Sequence, residues 1–148
     1  MKRILGIAIA CVALLLGGCA TSGSGPRQGS VSTLAIGECT ADVAPSDGEE
    51  ISMVTTVGCD QPHAWEAYAE TTLTGDAWPG DDKVAQDADD FCVAEFEKFV
   101  GIPATESQYS FISLMPTEKG WQAGDHQVTC TVGSDSGDIK GTLRDAKA

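Results

Sequence analysis

Asp81-Asp82-Lys83-Val84-Ala85-Gln86-Asp87-Ala88-Asp89-Asp90-Phe91-Cys92-Val93-Ala94-Glu95-Phe96-Glu97-Lys98-Phe99-Val100-Gly101-Ile102-Pro103 decides the fold. Val84, Ala88, Phe91, Cys92, Phe96 and Phe99 recur at three and four residues, which places them on one face of a helix. Lys83, Asp87, Asp90, Glu97 and Lys98 fall largely opposite. Asp81 or Asp82 can cap the exposed amides at the start, where negative charge also suits the dipole. Gly101 and Pro103 stop the helix. Cys92 is thereby predicted on a buried face.

Beyond this helix the pattern changes to that of strands. Tyr109 to Met115 carries apolar residues on both faces, which predicts a strand that is central or covered on both sides. Pro116 to Gly120 reads as a loop. After Trp121, Gln127 to Val132 alternates, with Val128, Cys130 and Val132 on one side and Gln127, Thr129 and Thr131 on the other, as in a half-buried strand. Gly133 to Asp138 is a polar turn, and Ile139 to Leu143 a last short strand. Before the helix, Gly75 to Asp82 is a loop. Ala64 to Leu73 sets Trp65, Ala67, Ala69 and Leu73 against Glu66, Tyr68, Glu70 and Thr72. Cys59 to His63 is a turn, and Ile51 to Val57, rich in β-branched residues, is a strand with Ile51, Met53 and Val57 on one face. These two strands are predicted to form a hairpin. Ala44 to Gly48 has turn chemistry, and Leu34 to Cys39 is an apolar lead-in. The sum is an α+β fold: a small antiparallel sheet with one main helix packed on a face.

The N-terminus is of another kind. Lys2 and Arg3 precede an apolar run from Ile4 to Leu16 that is too short for a bilayer core, which takes about 20 residues, so 1–18 reads as a signal peptide. Leu16-Gly17-Gly18-Cys19 resembles a bacterial lipobox, which implies diacylglycerol on the Cys19 sulfur and an extracytoplasmic position on the cell membrane. Residues 19–33 then form the lipidated cysteine and a Ser/Gly-rich tether without apolar residues enough to bury, and 34–148 a single domain. The formal net charge is −13; without the two cations Lys2 and Arg3 it becomes −15. Nucleic acid is excluded as a partner, and so is adsorption to anionic head groups, since both need clustered Lys and Arg.

With Cys11 in the leader and Cys19 lipidated, Cys39, Cys59, Cys92 and Cys130 remain, an even number that implies two disulfides in an exported chain. Spacing alone leaves three connectivities open. No pair has the close spacing of a zinc site, and no nucleophile-elbow serine or phosphate-binding glycine loop is present. The acidic groups Asp47, Glu49, Glu50, Asp76, Asp81 and Asp82 lack calcium-loop spacing. No cofactor is expected. His63, Glu66 and His126 would have to converge by folding to hold a metal, the basis of an alternative reading as a metal-assisted hydrolase. Exposed tryptophans among Trp65, Trp78 and Trp121 would suit peptide or glycan binding.

Gly37-Glu38-Cys39, then Cys59-Asp60-Gln61-Pro62-His63-Ala64-Trp65-Glu66, Cys92 in a helix, and Trp121-Gln122-Ala123-Gly124-Asp125 before Cys130 together resemble the septum formation domain family of high-GC Gram-positive bacteria. The resemblance spans Leu34 to about Leu143. It implies a disulfide-bearing, membrane-anchored domain, and a link to cell division without a defined activity. Because the turn at Cys59 and the lead-in at Cys39 are local to one another, while Cys92 and Cys130 share a core, the expected pairs are Cys39 with Cys59 and Cys92 with Cys130. The functional expectation is a non-enzymatic envelope lipoprotein that binds an envelope protein, peptide or glycan through Pro62, His63, Trp65, Glu66 and Trp121. Action as an accessory in septum formation is the alternative.

Overall fold

Burial of the apolar helical stripe is the first thing the computed structural model shows. It describes residues 25–43 and 51–148. The leader, Cys19, the first residues of the tether, the turn at 44–48 and the acidic residues Asp47, Glu49 and Glu50 lie outside the described residues. Helix α1, Asp81–Val100, buries Val84, Ala88, Cys92, Phe96, Phe99 and Val100. Gly80 stands at its cap, without a side-chain bond, and Asp81 and Asp82 occupy its first turn. The two carboxylates therefore act on the dipole and not as caps, a correction to the expected start. Gly101 ends the helix at φ 89°, its N–H reaching the Glu97 carbonyl at 2.8 Å, a left-handed turn that glycine takes without a Cβ penalty.

The strands are β1 (Arg27–Ser30), β2 (Cys39–Thr40), β3 (Met53–Val57), β4 (Trp65–Thr72), β5 (Ser110–Leu114) and β6 (Gln127–Gly133), with a short helix α2 (Glu118–Gln122) between the last two. All pairings are antiparallel, in the order β1-β3-β2-β4-β6-β5. The sequence reading is corrected at five places. β3 and β4 are no hairpin, because Cys39 of β2 sits between Val57 and Glu66. The expected free tether is ordered from Arg27, which pairs with Thr56 at the start of the outermost strand. Val54, not Met53, points inward on β3, with Met53 55% exposed. Ile139 to Leu143 is not a strand: Ile139 makes a single bridge to His63. In place of the loop at Pro116 to Gly120, Thr117 caps α2 by accepting the Gly120 N–H at 3.1 Å.

Both faces of the sheet are covered. On one, Tyr68, Val128, Cys130 and Val132 meet the α1 stripe. On the other, Leu34, Val54, Trp65, Ala67 and Leu114 close over one another as the sheet curls. β6 is therefore buried on both sides, Thr129 and Thr131 included, not half-buried as its alternation predicts. β5 is covered on both faces as expected, but it stands at the sheet edge. A bulge between Ala67 and Ala69 shifts the alternation of β4, so that Tyr68 and Ala69 both join the helix-side core.

Cys39 is bonded to Cys59 and Cys92 to Cys130, with Cα separations of 5.3 and 5.5 Å, both within the normal span. The expected pairing holds. Beside the second bridge the Tyr68 hydroxyl donates to the Cys92 carbonyl at 2.6 Å, and its ring meets Phe96 edge-on at 5.9 Å. Burial, reinforced by the charges of Glu95 and Asp89, holds the phenol well above its ordinary pKa, so it stays a donor. Tyr68→Phe is expected to lower stability by about 1 kcal/mol, the net worth of one such bond, in urea unfolding; no change in midpoint would count against that bond.

Candidate functional site

The turn from Cys59 to Glu66 is built from internal bonds. Pro62, which cannot donate, precedes His63, whose N–H and carbonyl exchange hydrogen bonds with Ile139 at 3.0 and 3.1 Å. The His63 ring is 1% exposed, with Nδ1 2.9 Å from the Gln61 carbonyl. Because a carbonyl only accepts, Nδ1 carries the hydrogen. Nε2 has no partner among the described residues. Trp65 is 3% exposed and belongs to the core of the curled face. Glu66, 2% exposed, lies on the other face. Its Oε1 accepts the Thr142 hydroxyl and its Oε2 the Leu143 N–H, both at 2.6 Å.

These distances correct the expected binding turn. His63, Trp65 and Glu66 cannot meet a partner without unfolding the segment, because each is buried. His63 and Glu66 tie residues 139–143 to the sheet, helped by the Gly141 N–H, which reaches the Cys59 carbonyl at 2.6 Å, while Trp65 fills the core of the curled face. Pro62 alone of the four is exposed.

Trp121 is buried too, on α2 at 3% exposure. It stacks on His126 at 3.8 Å between centroids and 11° between planes, and meets Trp78 edge-on at 5.5 Å. The tryptophan is thus the hub of an aromatic cluster and not a free contact. Leu73 N–H donates to the His126 carbonyl at 2.9 Å, which puts His126 beyond the opposite end of the β4–β6 ladder from His63. That ladder, Trp65 to Thr72, is roughly 23 Å long at the usual rise per residue. His63, Glu66 and His126 therefore form no shared centre, and the metal-hydrolase triad is overturned by geometry. Among the described residues one group of three potential ligands converges: Cys39, Cys59 and Glu66. Its two sulfurs are joined to each other and its carboxylate is held by residues 142 and 143, so its donors are already engaged.

What the sequence did not point to is a groove of about 560 Å³ between the start of α1, β5 and α2. Val31, Ile51, Val84, Ile112, Leu114 and Met115 give it an apolar lining, and Asp81, Asp82 and Glu118 stand along it. Val31 and Ile51 come from the β1–β3 side, the other end of the sheet order, so the groove is the seam left where the curl brings the two edges toward each other. Nothing in local periodicity marks this seam, since its lining is drawn from four separate stretches of the chain.

A family model described as septum formation matches residues 36–147. No match was found among curated proteins or among solved structures.

Proposed function

The chain belongs to the septum formation family, and from that premise we propose that it is a non-enzymatic accessory of septum formation that works by binding a partner at the cell envelope, held on the outer face of the membrane by lipid on Cys19. The observation that carries this reading is the extent of the match, from just before β2 to Lys147: it takes in β2 to β6, both helices and the two disulfides, and leaves out only β1 of the sheet. Support for a non-enzymatic role comes from Glu66, whose two carboxylate oxygens both serve internal bonds, and from His63, whose ring is buried with Nδ1 held by the Gln61 carbonyl. Two disulfides fit an oxidising compartment outside the cytoplasm. Among the described residues no helix is long and apolar enough to cross a membrane.

Two measurements test this. A fluorescent fusion placed after Cys19 is expected to gather at the division site, and depletion is expected to lengthen cells; even distribution with normal division would overturn the septal role. Cys19→Ala is expected to move the protein out of the washed membrane fraction or leave its leader uncleaved, because two acyl chains anchor firmly and their loss leaves no second anchor. A cleaved variant that still sediments with membranes would contradict the lipid anchor.

A further inference from the structure

The seam of the curled sheet has the chemistry of a strand-binding site. β5 pairs with β6 and, among the described residues, with no other strand. Its outer edge thus presents backbone N–H and C=O groups toward the groove, a template on which an extended chain can pair. The side chains of β5 divide in the usual alternation. Ile112 and Leu114 face the curled interior, whereas Ser113 faces α1, where its hydroxyl donates to Asp89 at 2.7 Å.

A strand laid beside β5 would alternate in the same way. Residues pointing inward would lie against Ile112 and Leu114, with Val31 and Ile51 across the seam. Residues pointing outward would lie beside Asp81, Asp82 and Glu118, all three exposed. Among the described residues no Lys or Arg lines the groove. The volume, about 560 Å³, is in the range of sites that hold short peptides or small ligands.

We infer that this seam binds an extended peptide segment of a partner protein, one whose alternate residues are apolar and basic, by adding it as a strand to the free edge of β5. The inference rests on the reading of the protein as a binding module. It replaces the buried side chains of His63, Trp65 and Glu66 as the contact surface, and it uses the acidity of the chain as recognition: carboxylates along the rim select lysine or arginine and raise the association rate at low salt.

The test uses the full chain in nanodiscs of zwitterionic lipid and a fluorescein-labelled eight-residue peptide alternating valine and lysine. Two copies of the peptide are N-methylated, one at every valine and one at every lysine. In a strand, alternate amides point to one side, so one copy loses the edge that pairs with β5 and the other keeps it. Saturable binding is expected, weakened about tenfold or more by one methylation pattern and little by the other. A tenfold loss corresponds to about 1.4 kcal/mol. Asp81→Asn combined with Asp82→Asn is expected to weaken binding about tenfold and flatten its salt dependence, in a variant that still melts cooperatively, its midpoint lowered only by the loss of the two charges at the α1 dipole. Equal affinity for all three peptides would mean attraction by charge alone and overturn the strand pairing. Absence of saturable binding, or a chain that dimerises through β5 and excludes the peptide, would overturn the site. Septal localisation is read separately: a fusion carrying both asparagines that still reaches the division site as well as the parent counts against the seam and not against the septal role.

Discussion

Replacing Cys92 and Cys130 together by alanine is expected to lower the stability of the domain by about 4 kcal/mol. Breaking Cys39–Cys59 in the same way is expected to cost about 3 kcal/mol. The difference comes first from the closed loops, whose ends are 38 and 20 residues apart; a longer loop gains more freedom in the unfolded chain when released. Packing widens it. Cys92 and Cys130 are both fully buried between α1 and β6, so two missing sulfurs leave a void in the helix-side core, where Phe96 and Tyr68 already fit edge to face. Cys59 is only partly buried, and its loss leaves less space behind. Denaturant unfolding of the two double variants against the parent measures both. A Cys39/Cys59 variant less stable than the Cys92/Cys130 variant would show that the core bridge is not the dominant staple.

Glu66→Ala is expected to cost about 3 kcal/mol, although the side chain touches no other charge. Its carboxylate accepts from a hydroxyl and from a buried backbone N–H. Removing it leaves the Leu143 amide without an acceptor, and the penalty for such an orphan adds to the loss of two bonds to a charged group. Glu66→Gln should cost less, about 1 to 2 kcal/mol, because the amide oxygen can still accept one of the two bonds while its NH₂ faces a donor. Hydrogen exchange would locate the effect: protection at Leu143 should fall in both variants, and most in the alanine one. Unchanged protection there, with a lower global stability, would assign Glu66 to packing alone.

The helix was legible in the sequence because its period is short-range information, and the disulfides because the four cysteines left after the leader and Cys19 form an even set, with Cys92 and Cys130 both on predicted buried faces. The stripe from Val84 to Phe99 has one period, and Cys92 falls on it. The septum formation resemblance rested on residues that the fold then places at its joints: Cys59 in a bridge, His63 in the bridge to Ile139, Glu66 on residues 142 and 143. The same residues were misread as a contact surface. An uncommon cluster of Pro, His, Trp and Glu looks identical in sequence whether it faces a partner or the chain's own later segment. β1 was missed because Arg27 to Ser30 has no apolar alternation; an edge strand needs only backbone pairing. β2 was missed because two residues carry no period, yet it displaces the expected hairpin. Thr129 and Thr131 looked solvent-facing by type, and only the curl of the sheet buries them.

Residues 139–147 are bound to parts of the chain made long before them. Ile139 meets His63, Leu143 meets Glu66, and the N–H groups of Asp145 and Lys147 cover the Phe99 and Val100 carbonyls at 2.8 and 2.9 Å. A polypeptide delivered through a membrane pore from its N-terminal end would have every strand and helix outside before this clasp arrived. Until then the Glu66 carboxylate and the last turn of α1 would face water unpartnered. Contacts across nearly 80 positions form slowly, so thiol oxidation could precede final closure. Order of emergence, and not local preference, would then govern when the domain becomes resistant to proteases.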